Sequence, residues 1–481
     1  MFKYKNENEL IARANESLEL SINEIFLKSE IKNSKINLNN KGNIGNIIEK
    51  YWFGIKNNNT PLPDFQNLGI ELKVIPLIED KNNTLKVKER TKICSIDYNK
   101  LINEKWETSH AKSKLNKVLF IYYHYDKNNL LNSKIIKIDL FTLENNDELI
   151  IKKDWLDIYE YIKKGLAHNL SESMSKVLAA SRSGSGGVDK YGNQKDLVTQ
   201  PNSDIKALKR AFSLKQSFTN QRWNEINNER YESIINILNT DSEHFESDIL
   251  NQINKFESKT LGYIARKFNI EISKGKNAAA TILKKFLGFK NVNSRIKEFE
   301  QLGIQVKIIS TRKSDFKPWE AVSFPTFKLK ELIKENFYEG ENEFVEWDNC
   351  SLLKDINRIL FLPIFREKNK GIPIEDRILG KAFFWSPSID ELEIIKNEWE
   401  KYKQEILEGK VKITKIPNGK DYKEVSGLSK ESDTKIIHIR PHGKDRDDRD
   451  EDHLGNSIVK QSFWLNKNFL QQLIRKNYKI W

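Results

Sequence analysis

One sequence pattern occurs twice in this chain, once in its front half and once in its rear half. DFQNLGIELKVI spans Asp64–Ile75, and EFEQLGIQVKII spans Glu298–Ile309. The alignment between the two stretches continues without a gap back to Asn43 and Asn277. A long internal repeat is typical of two copies of one structural unit. Because 481 residues are enough for each copy to bury its own core, we predict two domains that share one fold.

Two later blocks repeat in the same order. WETSHAKSKLNKVLF (Trp106–Phe120) returns as WDNCSLLKDINRILF (Trp347–Phe361). AFSLKQSFTNQ, which begins at Ala211, returns as SFWLNKNFLQQ, which begins at Ser462. The intervening residues 220–256 are charged and have a composition that favours helix. We therefore predict domains at residues 1–220 and 256–481, joined by a helical connector at residues 221–255.

The composition predicts a folded, soluble protein with a polyanionic partner. Charged residues make up 31% of the chain and hydrophobic residues 38%, and the formal net charge is +13. Lysines that neutralise phosphates release counterions and so add affinity for nucleic acid of any sequence. An AT-rich genome would also produce this usage of Lys, Asn and Ile. The charge is therefore compatible with DNA binding without requiring it.

Nothing in the sequence predicts a membrane or secreted protein. No run approaches the roughly 18 apolar residues that a membrane span needs, and the start, MFKYKNENEL, lacks the apolar core of a signal peptide. Cys94 and Cys350 are far apart and outside any CxxC or Cys/His cluster, so we expect buried thiols. The cytoplasm is the expected location.

The first copy of the repeat contains residues that suit metal-dependent hydrolysis. GIELKVI alternates and is predicted to be a strand over Gly69–Ile75, with Asp64 on the turn that leads into it. Side chains on a strand repeat every two residues, so Glu71 and Lys73 share one face. Two carboxylates can hold Mg²⁺, and a neighbouring lysine can orient a water molecule. The alternative is an amphipathic edge strand with a solvated Glu/Lys pair.

Four blocks together resemble a known family in order and spacing. They are KGNIGNIIEKYWFG (41–54), DFQNLGIELKVIP (64–76), WETSHAKSKLNKVLF (106–120) and AFSLKQSFT (211–219). In these blocks the chain resembles the MutH-like endonucleases, and in its two-domain length it resembles the GATC-cutting restriction enzymes of the Sau type. The resemblance implies a mixed α/β (α+β) fold of two tandem domains, each with a central mixed sheet flanked by helices.

The resemblance also implies roles for single residues of the first copy. Asp64 and Glu71 would hold Mg²⁺ and Lys73 would serve the attacking water, as in PD-(D/E)xK nucleases. Glu49 matches the additional acid on the preceding helix, and Lys114 matches the lysine of the TSHxxxKL element, which would contact the scissile-strand phosphate. Without the resemblance, Glu49 would be interpreted as a surface acid and Lys114 as a solvated lysine.

The second copy keeps the scaffold but loses most of these groups. At the aligned positions Glu71 becomes Gln305, Glu49 becomes Leu283 and Lys114 becomes Asp355. Asp64 becomes Glu298, and Lys73 is kept as Lys307. Glutamine carries no charge and leucine offers no oxygen, so we expect the second domain neither to hold Mg²⁺ nor to cut. The resemblance implies that it binds a second copy of the recognition site as an effector.

Candidate base-reading residues lie in loops near the end of each copy. In the first, AASRSGSGGVDKYGNQ (179–194) is polar and glycine-rich, so it either approaches DNA or is a flexible surface loop. The family's IRPK-type recognition loop is matched better by HIRPHGKD (438–445) in the second copy. In the first copy we predict that Arg182 is the equivalent of the arginine of this loop, Arg440. Ser213 follows the phenylalanine of the F-x-L-K element.

In the second copy the DNA-binding candidates are Arg440, His442 and Lys444. Trp464 occupies the position of Ser213, where core packing is as reasonable as DNA contact. The acidic run DRDDRDED that follows would repel phosphate and is predicted to be a solvated loop.

These features predict a Mg²⁺-dependent type II restriction endonuclease that breaks both strands of double-stranded DNA at a short palindrome, which by resemblance is GATC. One active copy per chain predicts that the chains pair on DNA. One alternative is a mismatch-repair endonuclease that nicks one strand at GATC, although that class resembles only the front half. Another is a non-catalytic DNA-binding protein, which the intact acids of the first copy disfavour.

Overall fold

A computed structural model describes most of the chain. The described residues are 4–29, 43–55, 62–79, 83–184, 195–227, 229–241, 243–272, 278–291, 294–335, 350–367, 371–418 and 421–479. Residues 185–194 of the predicted base-reading loop, and the first residues of the Trp347–Phe361 block, lie outside these ranges.

The chain divides into two compact units, Met1–Glu229 and Arg230–Trp481. The division falls inside the predicted connector. The helix Gln216–Ile226 belongs to the front unit, whereas the helices Ile234–Leu238 and Phe245–Asn254 belong to the rear unit. The residues of the predicted connector are therefore shared between the two units.

The front unit mixes helices and strands. Its helices are α1 (Glu7–Asn15), α2 (Ile22–Leu27), α3 (Asn43–Ile47), α4 (Tyr98–Leu101), α5 (His110–Leu115), α6 (Asn145–Lys163) and α7 (Gln216–Ile226). Its strands are β1 (Glu71–Glu79), β2 (Leu85–Val87), β3 (Thr91–Ser95), β4 (Lys117–His124), β5 (Lys134–Thr142), β6 (Leu178–Arg182), β7 (Leu197–Gln200), β8 (Ser203–Leu208) and β9 (Arg210–Leu214).

The main sheet of the front unit has the strand order β2-β1-β4-β5. Strands β1 and β4 are parallel, and their outer neighbours are antiparallel to them, so the sheet is mixed as expected. All residues of β4 from Val118 to Tyr123 are buried, because helices cover both faces of the sheet. The apolar residues of α1 to α3 pack on one face, and Phe218 and Trp223 of α7 pack on the other. A second sheet has the order β3-β9-β6.

The rear unit contains the remaining elements. Its helices are α8 (Ile234–Leu238), α9 (Phe245–Asn254), α10 (Leu261–Phe268), α11 (Ala278–Phe286), α12 (Lys297–Gln301), α13 (Leu329–Leu332), α14 (Ser351–Ile356), α15 (Ile389–Leu407) and α16 (Lys467–Asn477). Its strands are β10 (Tyr231–Glu232), β11 (Arg295–Ile296), β12 (Ile304–Thr311), β13 (Val322–Phe327), β14 (Arg358–Phe365), β15 (Ile378–Leu379), β16 (Phe383–Trp385), β17 (Ile413–Asn418), β18 (Asp421–Ser426), β19 (Ile437–Pro441), β20 (Arg449–Glu451), β21 (Ser457–Val459) and β22 (Gln461–Leu465).

The two units use the same strand pairing in the same register. Glu71 of β1 lies opposite Val118 of β4, and their sequence counterparts Gln305 and Ile359 lie opposite each other in the parallel pair of β12 and β14. The small sheet β13-β22-β19 likewise repeats β3-β9-β6. A slip of one residue would turn every side chain of a strand to the other face, so a shared register is strong evidence of one fold. The prediction of tandem domains with a common mixed α/β fold is confirmed.

The long helices α6 and α15, each of 19 residues, share a buried acid that precedes a buried tryptophan. Asp154 precedes Trp155, and Glu398 precedes Trp399. The Asp154 carboxylate accepts hydrogen bonds from the backbone N–H groups of residues 176–178, and Glu398 accepts them from residues 435–437. These backbone segments lead into β6 and β19. In both units one carboxylate on the long helix therefore holds the start of the strand that carries recognition candidates.

The rear unit also departs from one expectation. The acidic run at residues 445–452 is not simply a solvated loop, because β20 forms within it and Asp452 is fully buried. The Asp452 carboxylate accepts hydrogen bonds from the backbone N–H groups of Leu454 and Asn456, which closes the turn before β21. Asp450 accepts a hydrogen bond from the backbone N–H of Leu329. The carboxylates therefore satisfy backbone donors that the sequence pattern does not reveal.

The two cysteines form no disulfide. Cys350 is buried, Cys94 is partly exposed, and both are free thiols. Within the described ranges, no helix combines the length and apolar character that crossing a bilayer requires.

Candidate active site

Glu71 and Lys73 lie on one face at the start of β1, as the alternation predicts. The side chain of Glu71 is buried, and the Lys73 Nζ donates a hydrogen bond to Glu71 Oε1 over 2.7 Å. The strand begins at Glu71 rather than at the predicted Gly69, because Gly69 adopts a φ of 64° in the turn that precedes it. Since β1 is paired on both sides and Glu71 is 1% exposed, the edge-strand interpretation with a solvated pair is wrong.

Lys114 approaches the same carboxylate from α5. This helix begins after Ser109, whose hydroxyl accepts a hydrogen bond from the backbone N–H of Lys112. The Lys114 Nζ donates to both oxygens of Glu71, each over 2.9 Å, and Lys114 is buried. The interpretation of Lys114 as a solvated lysine is therefore wrong. The Glu71 carboxylate lies between two ammonium groups, each of which could also donate to a phosphate.

Asp64 and Glu49 complete the acidic side of the site. The Asp64 Oδ2 accepts a hydrogen bond from the backbone N–H of Leu72 over 3.0 Å. Burial, and then repulsion from Glu71, raises the pKa of Asp64. Glu49 lies on a π-helical turn at Ile48–Trp52 that continues α3. Burial, and then repulsion from Asp64, raises the pKa of Glu49 to about 7, which a surface acid would not show.

Two carboxylates of this site, those of Asp64 and Glu71, could hold a divalent cation that would offset the repulsion between them. Asp64 and Glu71 would hold Mg²⁺, with Glu49 nearby, because Mg²⁺ binds through one or two protein carboxylates and keeps several waters. In the described part of the chain, no three His, Cys, Asp or Glu side chains stand close enough together to form a complete metal cluster. Two carboxylates are as many protein ligands as a magnesium ion with water and substrate around it needs.

The raised pKa of Glu49 predicts that this acid costs stability at high pH. Between its ordinary value of 4.5 and about 7, the folded protein holds a proton that the unfolded chain has released. The resulting stabilisation is fully present below pH 4.5 and is lost as the pH rises through 7. We expect Glu49→Gln to stabilise the metal-free protein at pH 8 by about 2 kcal/mol, after allowance for solvent screening. Calorimetry should show a Tm higher by roughly 5 °C.

The matched control is Glu160→Gln, which removes an exposed acid of α6 and should leave the Tm nearly unchanged at both pH values. At pH 4.5, where Glu49 is already protonated, Glu49→Gln should also have little effect. An equal gain at pH 4.5 and pH 8 would contradict the assignment of a buried, charged Glu49.

Lys92 is a basic residue of this region that sequence reasoning missed. It lies on β3 opposite Ser213 of β9, and its Nζ donates to Ser183 Oγ over 3.1 Å. Partial desolvation of the ammonium, and then repulsion from Lys73, lowers the pKa of Lys92, although the side chain as a whole is exposed. No sequence signal identifies it, because TKICS has the pattern of an ordinary strand and its pairing with β9 is a tertiary feature.

Ser213 and Arg182 lie on the β6–β9 pair. Ser213 is buried, and its Oγ is 2.6 Å from Ser181 Oγ, so its hydroxyl supports the strand pair in this structure. Arg182 is half-buried at the end of β6, opposite Arg210. The structure does not bring Arg182 to the carboxylates; it places it where the undescribed residues 185–194 follow.

The register corrects the predicted equivalence of Arg182 with Arg440. Ser213 lies opposite Ala179, and its counterpart Trp464 lies opposite His438, so Ala179 matches His438. Counting two residues along each strand, Ser181 matches Arg440. The equivalence was wrong by one residue, and a shift of one places the two arginines on opposite faces of their strands. Loop sequences of different length hid this register.

In the second copy the positions of Glu71, Lys114 and Lys73 make different hydrogen bonds. The Gln305 Nε2 donates to Asp355 Oδ1 over 2.8 Å, in the place of the Glu71–Lys114 pair. Lys307 donates to the backbone carbonyl of Ser323 over 2.9 Å. The two contacts are satisfied within the domain and provide no carboxylate pair for a cation.

The counterparts of Asp64 and Glu49, which are Glu298 and Leu283, stabilise the fold of the second copy. Glu298 is buried and accepts hydrogen bonds from the Ser233 hydroxyl and, over 2.8 Å, from the backbone N–H of Ile234 at the start of α8. Leu283 is buried among apolar side chains that include Phe286 and Leu362. An acid used as a helix cap and a leucine in an apolar cluster cannot serve a magnesium ion.

The DNA-binding candidates of the second copy form an exposed row along β19 and beyond. Arg440, His442 and Lys444 are all exposed. The Arg440 guanidinium lies 4.8 Å from the centroid of the Trp464 ring, and the His442 ring lies 5.1 Å from it. Trp464 is half-buried on the face opposite the core residues Phe463 and Leu465, so it is not a core residue. It is the platform for the two basic side chains.

Comparisons with known proteins agree with this arrangement. The MutH family model, described as the DNA mismatch repair enzyme MutH, matches residues 53–154 and again residues 287–398, one match in each unit. The type II restriction enzyme Sau3AI of Staphylococcus aureus is 30% identical over 510 aligned positions, which cover 98% of this chain and 99% of that enzyme.

Mismatch repair proteins match part of the chain. The DNA mismatch repair protein MutH of Vibrio vulnificus is 30% identical over 224 residues, 45% of this chain and 92% of that protein. Its counterpart in Actinobacillus pleuropneumoniae serotype 5b is 29% identical over 207 residues, 42% of this chain and 79% of that protein. The match to the restriction enzyme extends over both units. This chain therefore belongs to the MutH-like type II restriction endonucleases, a family of site-specific deoxyribonucleases.

Proposed function

We propose that the protein makes double-strand breaks in DNA at GATC in the presence of Mg²⁺, that the front domain cuts, and that the rear domain binds a second GATC site as an effector. The observation that carries the proposal is the unequal chemistry of the two copies. Glu71 lies between two lysines in the front domain, whereas Gln305 is bound to Asp355 in the rear domain.

The front domain has the groups that phosphodiester hydrolysis needs. Asp64 and Glu71 hold Mg²⁺, which when bound polarises the phosphate and lowers the pKa of a coordinated water. Lys73 is positioned by its hydrogen bond to Glu71 and orients the attacking water. Lys114 holds the other side of Glu71 and neutralises the scissile-strand phosphate. Glu49 adds a third carboxylate beside this pair, which would strengthen the attraction for the cation.

The rear domain contributes binding without chemistry. Arg440, stacked on Trp464, can donate to the edge of a guanine, while His442 and Lys444 contact neighbouring groups. In the front domain Arg182 leads into the residues that would read the bases, and Ser213 supports that strand from within. Because each chain has one cutting domain, two chains pair on DNA when both strands are cut. We place this activity in the cytoplasm, where the DNA substrate is found.

The test compares circular DNA that has one unmethylated GATC site with DNA that has two. With Mg²⁺ both should be cut at discrete positions, and the two-site DNA should be cut at least several-fold faster, since a tethered second site is present at high effective concentration. Arg440→Ala combined with Lys444→Ala should abolish the advantage of two sites. Arg475→Ala, which removes an exposed arginine of α16, is the control and should keep it.

Other outcomes would identify a different function. Stable single-strand nicks would favour a repair-type endonuclease. This alternative is worth testing because the family model that matches each unit is that of a mismatch repair enzyme. Intact DNA would indicate binding alone. Equal cutting rates on one-site and two-site DNA would remove the effector role from the rear domain and leave the catalytic assignment of the front domain in place.

A further inference from the structure

Lys92 and Lys73 occupy positions whose counterparts in the rear domain, Ser323 and Lys307, are in contact, and Lys92 has no carboxylate of its own among the described residues. Lys73 is hydrogen-bonded to Glu71. Lys92 donates only to a neutral hydroxyl, that of Ser183, and within the described ranges no carboxylate lies at ion-pair distance from it. Like charges repel, so an arrangement of this kind is unfavourable until an anion joins it.

The position of Lys92 is imposed by the fold. Its strand β3 is held in the small sheet by β9, with Lys92 opposite Ser213. Thr91 and Ile93 on either side are buried, which fixes the strand and turns Lys92 to the other face, where it is solvent-exposed. In the rear domain the counterpart positions touch, because the Lys307 Nζ donates to the Ser323 carbonyl over 2.9 Å, and repulsion from Lys73 contributes to the lowered pKa of Lys92. An exposed cation held beside the reaction centre can therefore receive a ligand.

The second copy provides an internal comparison. Ser323 of β13 lies opposite Trp464, as Lys92 lies opposite Ser213, so the two positions correspond. Lys307, the counterpart of Lys73, donates to the Ser323 carbonyl and has no second lysine at that position. The copy that has lost its metal-binding acids has thus also lost the lysine pair. The pair belongs with the cutting site rather than with the shared scaffold.

We infer that Lys92 binds a backbone phosphate of the strand being cut, next to the phosphate that Glu71 and Lys73 act on. The inference rests on the proposed function, because it requires that DNA occupies the front-domain site. A phosphate between Lys92 and Lys73 would receive charge-assisted hydrogen bonds and remove the repulsion between the two ammonium groups. Since Ser183 directly follows β6, the contact also ties this strand to the catalytic centre.

The experiment measures cleavage of two-site GATC DNA over a series of KCl concentrations. We expect Lys92→Gln to lower kcat/KM about tenfold, mainly through KM, since hydrogen bonds to a charged group are stronger than ordinary ones. The slope of log kcat/KM against log salt should become shallower by about 0.9, the value for one lost phosphate contact. Lys92→Arg, which keeps the charge, should recover most of the rate. Lys100→Gln changes a lysine that is 77% exposed and paired with Asp97, and should leave the slope as it was.

The outcomes separate the inference from the proposed function. If the unchanged protein does not cut GATC DNA, the proposed function fails. If it cuts and Lys92→Gln has the same kcat/KM and the same salt slope, only the inference about Lys92 fails. A lower kcat with an unchanged salt slope would show that Lys92 acts on the protonation of Lys73 instead of binding phosphate, which would also overturn the inference. Equal melting temperatures confirm that the variants are folded.

Discussion

Replacing Glu71 by glutamine should slow Mg²⁺-dependent cleavage of GATC DNA at least about 10³-fold, because a loss of roughly 4 kcal/mol of transition-state stabilisation corresponds to that factor. Glutamine keeps the shape of the side chain but removes the charge that two lysines and the cation require. Lys73 and Lys114 both donate to this carboxylate, so the change also releases the group that orients water. The rate is measured under single-turnover conditions. Binding of GATC DNA without metal should change only a few-fold.

Two further variants make this test decisive. Glu79→Gln removes an exposed acid at the far end of the same strand and should cut normally. Glu71→Gln leaves the buried Lys114 without its carboxylate and is expected to destabilise the front domain. The double variant Glu71→Gln with Lys114→Asp recreates the Gln305–Asp355 contact of the rear domain and should fold but not cut. Normal cleavage by Glu71→Gln or by the double variant would refute the catalytic assignment.

Replacing Asp154 by alanine should destabilise the front domain by about 4 kcal/mol or more, because the change leaves a set of backbone N–H groups without an acceptor. The carboxylate accepts from Lys176 over 2.8 Å, from Val177 over 2.6 Å and from Leu178 over 2.8 Å. In a domain of this size the loss corresponds to a fall in Tm of roughly 10 °C, measured by calorimetry. Cleavage should also fall, since this segment leads into β6 and Arg182.

Asp157→Ala on the same helix is the control. Its carboxylate forms an ion pair with Lys153 over 3.0 Å, and both side chains are more than half exposed, so the effect on stability should be within about 0.5 kcal/mol. Glu398→Ala should reproduce the loss in the rear domain, because Glu398 has the same role there. If Asp154→Ala and Asp157→Ala change the Tm equally, the carboxylate does not hold the strand.

Much of the candidate active site could be predicted from the sequence because its residues are close together in the chain. Glu71 and Lys73 are two residues apart on a strand, so alternation alone places them on one face, and the structure agrees. The internal repeat predicted two units of one fold, and the shared register confirms it. Ile44, Ile47 and Ile48 recur at helical spacing and are all buried, so this spacing alone indicates which side of the helical segment before Glu49 faces the core.

The rest could not be predicted because it depends on which strands are neighbours. The register of β6 against β9 decided that Ser181, not Arg182, corresponds to Arg440. The pairing of β3 with β9 placed Lys92 opposite Ser213. Strand order and register follow from the packing of whole elements, and the loop lengths between them differ in the two copies.

From the sequence alone followed the duplication, the candidate acids and lysines of the first copy, and their replacement in the second. These depend on residue identity and on short spacings that a helix or strand converts directly into position. Only the tertiary structure decided that Lys114 is buried against Glu71, that Glu298 has become a helix cap, and that Asp154 and Glu398 hold equivalent strands. Each of these contacts joins residues far apart in the chain, so its partner is determined by how the elements pack and not by any pattern along the sequence.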